Sequence, residues 1–394
     1  MGERRAVTNR LAMKYRQGSR AEKTGILDDL VELTGWHRDH ARAQIRLAGT
    51  VRVVAPRARR RPVYPAGVVS ALELCWRVAR CPAGKRLAPM LVVLVPMLRR
   101  DGELDLGDDE AALLMAMSPA TIDRRLQGAK VLARFAARSH TKPGSLLKSQ
   151  IPIRTWSEWD DATPGFVEID LVGHEGGNSF GEFCFTLTMT DIATGWTVNR
   201  SVANKAAIHV VAAIEAASSL FPFPILGIDS DNGSEFINAH LYDYCLDHEI
   251  TFTRSRPGNK NDGAHVEQKN WTHVRTLVGY LRFDTPAELA VLNRIWDLDH
   301  RFTNLLCTQQ KLISRVRVGA KIIKRHDPAQ SPYQRAIAAG VLTAAQKRVL
   351  TRTRNQLQPG QLQRKIDQLA VQLEHLALAK APAPSRRINR AFTH

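Results

Sequence analysis

The spacing of hydrophobic positions changes along the chain, and these changes divide it into segments. Apolar residues recur three and four apart in residues 21–48 and again in 66–138, which predicts helices there. Between residues 166 and 256, short apolar runs bounded by turn residues are typical of strands. Helical spacing returns at 343–380, with one heptad-like series: Leu362, Ile366, Leu369, Leu373 and Leu376. This short series fits either packing on the chain itself or a dimer seam.

The first helical segment, residues 21–48, predicts two short helices separated by a turn at Gly35. The second helix would present His37, Arg38 and Arg42. A short helix, a glycine turn and a basic helix fit a DNA-binding helix-turn-helix. A helical hairpin with a solvated basic face fits this stretch equally well.

A run of arginines follows at residues 54–65, VAPRARRRPVYP. Prolines on both sides of the run keep the backbone extended. The segment is therefore either a solvated linker or a basic arm that follows phosphates or the minor groove. The arginines concerned are Arg57, Arg59, Arg60 and Arg61.

The second helical segment, residues 66–138, contains a clear helix start. Ser118 suits the N-cap position and Pro119 the first helical position. Thr121, Arg124 and Arg125 would then lie on the recognition helix of a second helix-turn-helix. Residues 139–165, rich in proline and glycine, predict a linker.

The middle of the chain alternates strands and helices in the order βββαβαβα. This order predicts a mixed five-stranded sheet with helices on its faces. The strands are expected at 166–173, 180–191, 196–202, 224–229 and 250–256, and the helices at 204–219, 234–249 and 262–281.

Acidic side chains fall where such a sheet collects functional groups. Asp170 lies on the first predicted strand, Asp231 directly follows the fourth, and Glu267 lies near the start of the last helix. Sites in open α/β sheets lie beyond the ends of central strands. Glu168 and Asp229 lie two residues before Asp170 and Asp231 on the same strand faces, so they are alternative ligands. We favour the interpretation that they are caps or supporting groups.

Charge is unevenly distributed. Lys and Arg number 56 against 38 Asp and Glu, which makes nucleic acid the expected partner. Residues 1–150 hold 28 basic and 14 acidic residues, 151–330 hold 17 and 22, and 331–394 hold 11 and 2. Basic flanks thus enclose an acidic middle. The five scattered cysteines predict neither a disulfide framework nor a zinc site. With no apolar leader at the N-terminus, a cytoplasmic, nucleoid-associated protein is expected.

Two motifs carry a resemblance to a known family. The turn DNGSEF at 231–236 and the segment NDGAHVEQKN at 261–270 resemble bacterial insertion-sequence DDE transposases with a retroviral-integrase-type catalytic domain. The resemblance extends over about residues 20–335. It implies an RNase H-like fold, and it implies that Asp170, Asp231 and Glu267 form the catalytic, metal-binding triad. The zinc module of the retroviral enzymes is missing from the sequence.

The chemistry of three clustered carboxylates agrees with this implication. Carboxylates ~4 Å apart repel each other by about 4 kcal/mol per pair at an effective dielectric constant near 20. Divalent cations relieve that repulsion, and oxygen ligands suit Mg²⁺ or Mn²⁺. Two ions per site would stabilise the attacking and leaving oxygens of a displacement at phosphorus. Lys260, Lys269 and Arg275 flank Glu267 and would either hold phosphates or form a solvated helix face.

We therefore expect a DNA transposase that binds transposon ends, cleaves them and joins the 3′-OH ends to target DNA as a homodimer or higher oligomer. The alternatives are a DNA-binding regulator derived from a transposase, and a metal-dependent nuclease without strand transfer. The expected domain plan is a helix-turn-helix unit at 1–53, an arm at 54–65, a second helical unit at 66–138, a linker at 139–165, the catalytic domain at 166–335 and a helical basic region at 336–394.

Overall fold

The computed structural model describes residues 2–48, 63–133, 163–230, 236, 238–254, 266 and 269–380. The chain divides into two compact units, Met1–Val63 and Tyr64–His394, called here the N-terminal unit and the main unit. Each is described by itself. None of the helices in the described part of the chain is long and apolar enough to cross a membrane.

The N-terminal unit contains three helices. They are α1 (Gly2–Gln17), α2 (Arg20–Thr34) and α3 (Arg38–Ala48). A capping box between Ser19 and Glu22 starts α2, and Gly35 ends it at φ +67°, a left-handed conformation that glycine adopts without strain. The predicted turn at Gly35 is thus confirmed. Five aliphatic side chains and one tyrosine form the core between the helices: Ala12, Tyr15, Leu27, Leu30, Ala41 and Ile45.

The main unit begins with five helices, α4 to α8. Their bounds are Ala66–Val78, Gly84–Arg100, Asp108–Met115, Pro119–Arg125 and Gln127–Ala133. The Ser118 side chain accepts a hydrogen bond from the Thr121 N–H, which confirms the predicted start of α7. Gly84, the first residue of α5, packs so tightly that a Cβ there would lie 2.3 Å from the carbonyl oxygen of Pro119.

A mixed five-stranded sheet follows, as the sequence predicted. Its order is β3-β2-β1-β4-β5; β2 runs antiparallel to β1 and β3, whereas β1, β4 and β5 are mutually parallel. The strands are β1 (Phe166–Gly173), β2 (Phe185–Asp191), β3 (Thr197–Val202), β4 (Gly227–Ser230) and β5 (Thr251–Arg254).

The second strand starts five residues later than predicted. Residues Asn178, Phe180 and Glu182 give their carbonyl oxygens to the Arg282 guanidinium, at 2.6, 2.9 and 2.8 Å. Gly181 also has a φ of +76°, which is incompatible with a regular strand. The segment is therefore held as a loop by a residue that lies about a hundred positions away in sequence.

The two faces of the sheet differ in polarity. Adjacent residues on neighbouring strands place one buried polar set on a single face: Glu168, Asp170, Thr186, Thr188, Thr190, Thr197, Asn199, Ser201, Asp229 and Thr253. Alternate positions such as Val167, Ile169, Met189 and Ile228 form an apolar opposite face. Hydrogen bonds between neighbouring strands satisfy much of the polar face, for example Asn199 Nδ2 to Thr188 Oγ1 at 2.8 Å.

Helices surround this sheet and continue beyond it. They are α9 (Ala207–Ser218), α10 (Ala239–Asp247), a π-helix (Asn270–Arg275) that continues into α11 (Thr276–Val278), and α12 (Pro286–Leu306), followed by α13 (Pro332–Ala338), α14 (Ala344–Asn355) and α15 (Pro359–Ala379). The Trp296 indole N–H on α12 donates to Ser201 Oγ at 2.8 Å, which places α12 over the polar face.

An additional two-stranded hairpin, β6 (Leu312–Val318) and β7 (Lys321–His326), connects α12 to α13 and was not predicted.

The leucine series at 362–376 was expected to form either a contact within the chain or a dimer seam. Leu362, Ile366, Leu369 and Leu373 on α15 are buried in the core of the main unit. The series therefore packs on its own chain.

Candidate functional site

Asp170 is the fifth of the eight residues of β1 and is half-buried on the polar face. Its Oδ1 accepts the Leu171 backbone N–H at 2.8 Å. Its Oδ2 accepts the Asn270 side-chain N–H at 2.5 Å. Asn270 is the first residue of the π-helix, so this bond joins the helix directly to the strand. Short π-helical segments often occur at functional sites.

Backbone register brings the fourth strand to the same place. Ile169 of β1 lies opposite Ser230, the last residue of β4, in a parallel pair. Asp170 and Asp231 are the next residues of the two segments. Asp231 itself is outside the described residues. The described end of β4 thus lies beside Asp170.

The described residues on either side of Glu267 contact β1. The Val266 N–H donates to Glu168 Oε2 at 3.2 Å, and Asn270 contacts Asp170. Glu267 lies between these two contacts in sequence and is also outside the described residues. Two contacts with the β1 carboxylates therefore bracket the third predicted acid.

Glu168 and Asp229 lie deeper in the sheet than Asp170. Each is 1% exposed, and they are adjacent across β1 and β4. Asp229 Oδ1 accepts the Thr253 hydroxyl at 2.7 Å. Their carboxylates contact backbone and hydroxyl donors, which is the geometry of groups that support the strand ends.

Oxygen atoms suited to a hard cation are present beside Asp170. The Asn270 Oδ1 is buried and has no hydrogen-bond partner among the described residues. A carboxylate and an amide oxygen on adjacent side chains are the ligand types that Mg²⁺ and Mn²⁺ prefer. The described residues contain no cluster of three or more acidic, His or Cys side chains that could hold a metal, but two predicted ligands lie outside them. The residues present fit a divalent cation.

Comparison with known proteins agrees with this architecture. The family model described as the integrase core domain matches residues 160–260, which include Asp170 and Asp231. A protein of Sinorhizobium fredii, the uncharacterized protein y4rM, is 39% identical over 336 residues, covering 85% of this chain and 95% of its own length. The chain belongs to the y4rM family. Its five-stranded sheet, with the helices around it, is an RNase H-like integrase core domain.

Solved structures of retroviral integrases are also similar to this chain. The catalytic core domain of BIV integrase is 15% identical, with a TM-score of 0.29, over 44% of this chain and 95% of that one. The HTLV-2 integrase catalytic core domain in complex with magnesium, in its trimeric form, is 17% identical, with a TM-score of 0.25, over 29% and 70%. Both scores are low, and we infer nothing about this y4rM-family chain from them.

Lys269 of the integrase core, predicted to hold a phosphate, lies in the interior. It is 8% exposed, and its ammonium group donates to Gln309 Oε1 at 2.6 Å. Burial lowers the pKa of Lys269 to about 7. The structure thus places this cation under the π-helix rather than on a surface open to DNA.

A buried polar cluster, formed by Arg80, His273 and Asp299, adjoins Lys269. Arg80 donates to Asp299 Oδ1, and His273 Nδ1 lies 3.6 Å from Asp299 Oδ2. Burial acts to raise the pKa of Asp299, but the Arg80 charge and the His273 hydrogen bond outweigh it and hold the pKa below its usual value. The cluster fastens the loop after α4 to both α12 and the π-helix.

Sequence reasoning missed this cluster, although one signal was present. The buried positions of α12 include Leu292, Ile295, Trp296, Asp299 and Phe302, so the acid interrupts an apolar stripe. A carboxylate in such a stripe must find a charged or hydrogen-bonding partner inside the protein.

Arg275, the last residue of the π-helix, braces the end of β1. Its guanidinium donates to the Gly173 carbonyl at 2.8 Å and to the Gly279 carbonyl at 3.3 Å, and lies over the Tyr280 ring at 4.8 Å. Burial lowers the pKa of Arg275 from its ordinary value. Both terminal nitrogens of its guanidinium thus donate to backbone carbonyls, one of them at the carboxyl end of β1.

The predicted DNA contacts of the flanking helices lie at the surface or outside the described residues. His37 is exposed, Arg38 pairs with Asp28, and Arg42 pairs with Asp39 at 2.8 Å. On α7, Arg124 and Arg125 are exposed and Thr121 is half-buried. The remaining predicted contacts, Arg57, Arg59, Arg60, Arg61 and Lys260, are outside the described part of the chain.

Proposed function

We propose that this y4rM-family protein is a DNA transposase that cleaves the ends of a mobile element and joins them to target DNA. One observation carries the proposal. The described residues that flank Asp231 and Glu267 meet β1: Ser230 pairs with Ile169, next to Asp170, and Val266 and Asn270 contact the Glu168 and Asp170 carboxylates. The match to the integrase core domain supports the same conclusion.

In the proposed site, Asp170, Asp231 and Glu267 hold two divalent cations, Mg²⁺ or Mn²⁺. Bound there, the ions would offset the repulsion among the acids and stabilise charge on the attacking and leaving oxygens. Asn270 keeps the Asp170 carboxylate turned toward the site through its hydrogen bond. Arg275 keeps the end of β1 in place.

Two displacements at phosphorus make up the proposed reaction. Water first attacks the phosphodiester at the element's end, the bond to the 3′ oxygen breaks, and a free 3′-OH remains on the element. That hydroxyl then attacks a target phosphodiester, and the target's own 3′ oxygen leaves. In the first step a P–O bond to the water oxygen forms as the P–O3′ bond breaks, and a proton from the water ends on the 3′ oxygen. In the second step a P–O bond to the element's 3′ oxygen forms as the target's P–O3′ bond breaks, and the proton of the attacking hydroxyl ends on the target's 3′ oxygen. Neither step needs a covalent enzyme intermediate.

DNA binding is assigned to the basic flanks in this proposal. The helices of the N-terminal unit and of 66–138 act as helix-turn-helix units, and the arginines at 57–61 as an arm that follows the phosphates. The protein works in the cytoplasm at the nucleoid as a dimer or larger assembly, because one acid triad cannot process two ends together.

The test uses three single substitutions, Asp170→Asn, Asp231→Asn and Glu267→Gln. Each keeps the size of the side chain but removes its charge and replaces one acceptor oxygen with an N–H donor, so cleavage and joining should fall below detection with Mg²⁺ or Mn²⁺. The control is Asp247→Asn, the same change at an exposed position on α10. The substrate is a duplex of the inverted repeats that flank the coding gene.

The outcomes separate the proposal from its two rivals. End binding in a mobility-shift assay should stay close to wild type in all four variants. Cleavage by wild type without any joined product would instead identify a nuclease. Binding without cleavage by wild type would identify a regulator. Full joining by any of the three triad variants would refute the assignment of that acid.

A further inference from the structure

The hairpin of β6 and β7 has no assigned role in the proposed reaction. Among the strands in the described part of the chain, β6 and β7 pair only with each other, with Val316 opposite Ile323 and Val318 opposite Lys321. Every residue of β7 is exposed, and on β6 Ile313 is 67% exposed. An isolated two-stranded hairpin is at best marginally stable in water. Because these residues are exposed, the surface of the hairpin is available to a partner.

Charge identifies the kind of partner. Residues 151–300 hold ten basic and twenty-one acidic residues, but residues 301–330 hold seven Lys and Arg and a single acid, Asp327. That acid is already bound at the base of the hairpin by Arg335, at 2.6 Å, and by the Lys311 N–H, at 2.6 Å. The strands themselves carry only cations: Arg315, Arg317, Lys321, Lys324 and Arg325. A polyanion fits this surface.

The base of the hairpin is connected to the candidate site. Gln309 and Gln330 exchange backbone hydrogen bonds there, at 2.8 and 3.0 Å. Gln309 Oε1 accepts the Lys269 ammonium, and Lys269 immediately precedes Asn270, the residue that holds Asp170. The base of the hairpin is thus connected, through Gln309 and Lys269, to the residue that holds Asp170. Strands of six to seven residues extend about 20 Å at ~3.3 Å per residue.

We propose that the hairpin Leu312–His326 is a DNA-binding ribbon that holds the phosphate backbone of a duplex next to the candidate site. A two-stranded ribbon fits the major groove of B-DNA, which is ~12 Å wide. Val316 and Ile323 form a cross-strand pair that keeps the ribbon together. The inference rests on the proposed function, because it takes DNA as the substrate.

A second copy of the chain is the competing occupant of this surface. Pairing between two hairpins would bring together ten like charges, five from each copy. Like charges on strands disfavour such pairing, and lysine on an exposed strand is a common means of preventing it. DNA, which carries the opposite charge, is therefore the occupant that the observations favour.

The test compares two charge-matched triple variants of the full chain. The hairpin variant is Arg317→Gln, Lys321→Gln and Lys324→Gln. The control is Arg348→Gln, Arg352→Gln and Lys365→Gln, at exposed positions on α14 and α15. Equilibrium binding to end duplexes is measured without divalent metal, between 50 and 200 mM salt. A third variant, Arg317→Lys, Lys321→Arg and Lys324→Arg, keeps the charges.

Three lost phosphate contacts should reduce the slope of log affinity against log salt by about 2.7, since each contact contributes ~0.9. The control and the charge-keeping variant should retain the wild-type slope. An equal reduction in the hairpin and control variants would show an effect of net charge alone and would overturn the inference. So would an unchanged slope in the hairpin variant while wild type binds DNA.

The remaining outcomes distinguish other failures. A wild-type protein that binds no DNA would remove the proposed function as well as the ribbon. Self-association is tested with Val316→Ser and Ile323→Ser, followed by mass photometry. Loss of a dimer in that variant, with DNA affinity unchanged, would assign the hairpin to contact between copies and would overturn the inference.

Discussion

The buried acid of α12 offers a sharp test of how the main unit is held together. Asp299 is 1% exposed and is bound by Arg80 and by the Thr303 hydroxyl, at 3.2 Å. The substitution Asp299→Asn keeps the size of the side chain but removes its charge. Arg80 would then lie largely inside the protein without a counter-charge.

The expected cost follows from burial. Removing one member of a buried ion pair costs about 3–5 kcal/mol, because the other charge stays desolvated. The Arg80 side chain is 21% exposed and keeps its bond to Gln363 Oε1 at 2.8 Å, so part of its charge remains solvated. We therefore expect a loss near the lower end, about 3 kcal/mol of the free energy of unfolding.

The same helix supplies a matched control. Asp297 lies two residues earlier and pairs with Arg200 at 2.5 Å, but its side chain is 54% exposed. Exposed ion pairs contribute about 0–1 kcal/mol, so Asp297→Asn should change the free energy of unfolding by no more than that. Urea denaturation at pH 7, followed by circular dichroism, measures both variants. Losses within about 1 kcal/mol of each other would refute the reasoning.

The effect should also depend on pH. The pKa of Asp299 is lower in the folded protein than its ordinary value. Its stabilising contribution is therefore fully present above the pKa of an unfolded aspartate, about 3.9, and is lost as the pH falls toward the lowered folded-state pKa. The difference between wild type and Asp299→Asn should shrink in strong acid. A difference that is constant from neutral to strongly acidic pH would contradict the charge-based explanation.

Two further predictions concern packing and the site. Gly84→Ala should lower the free energy of unfolding by about 1–3 kcal/mol, since its Cβ would overlap a backbone oxygen. As the control, Gly128→Ala on α8 meets nothing within 4 Å and should raise the free energy of unfolding by about 0.5–1 kcal/mol. Urea denaturation of both variants checks this, and equal effects would contradict it. Asn270→Ala removes the hydrogen bond to Asp170. The Mg²⁺ concentration needed for half-maximal cleavage should then rise about 10- to 100-fold. An unchanged metal titration would show that Asn270 does not orient Asp170.

Much of the local structure could be predicted from the sequence alone. The first strand, 166–173, is found at the predicted residues, and Ser118 and Gly35 cap helices as expected. These features depend on residues within a few positions of each other: alternation along a strand, an oxygen that accepts a nearby N–H, or a glycine that can take a positive φ. The mixed sheet follows from the order of such elements.

The tertiary structure decided which chemical groups are buried and which are exposed. Lys269 has the sequence context of a surface cation, yet it lies in the interior, where Gln309, forty residues later, accepts a hydrogen bond from its ammonium group. Asp299 needs Arg80, from the loop after α4, more than two hundred positions earlier. The hairpin at 312–326 was missed because its apolar residues, such as Val316, Val318 and Ile323, lie at the surface, so no core ties their positions to one face of a sheet. Periodicity reports on one element and its own neighbours, whereas the partners of a buried charge depend on how distant segments come together.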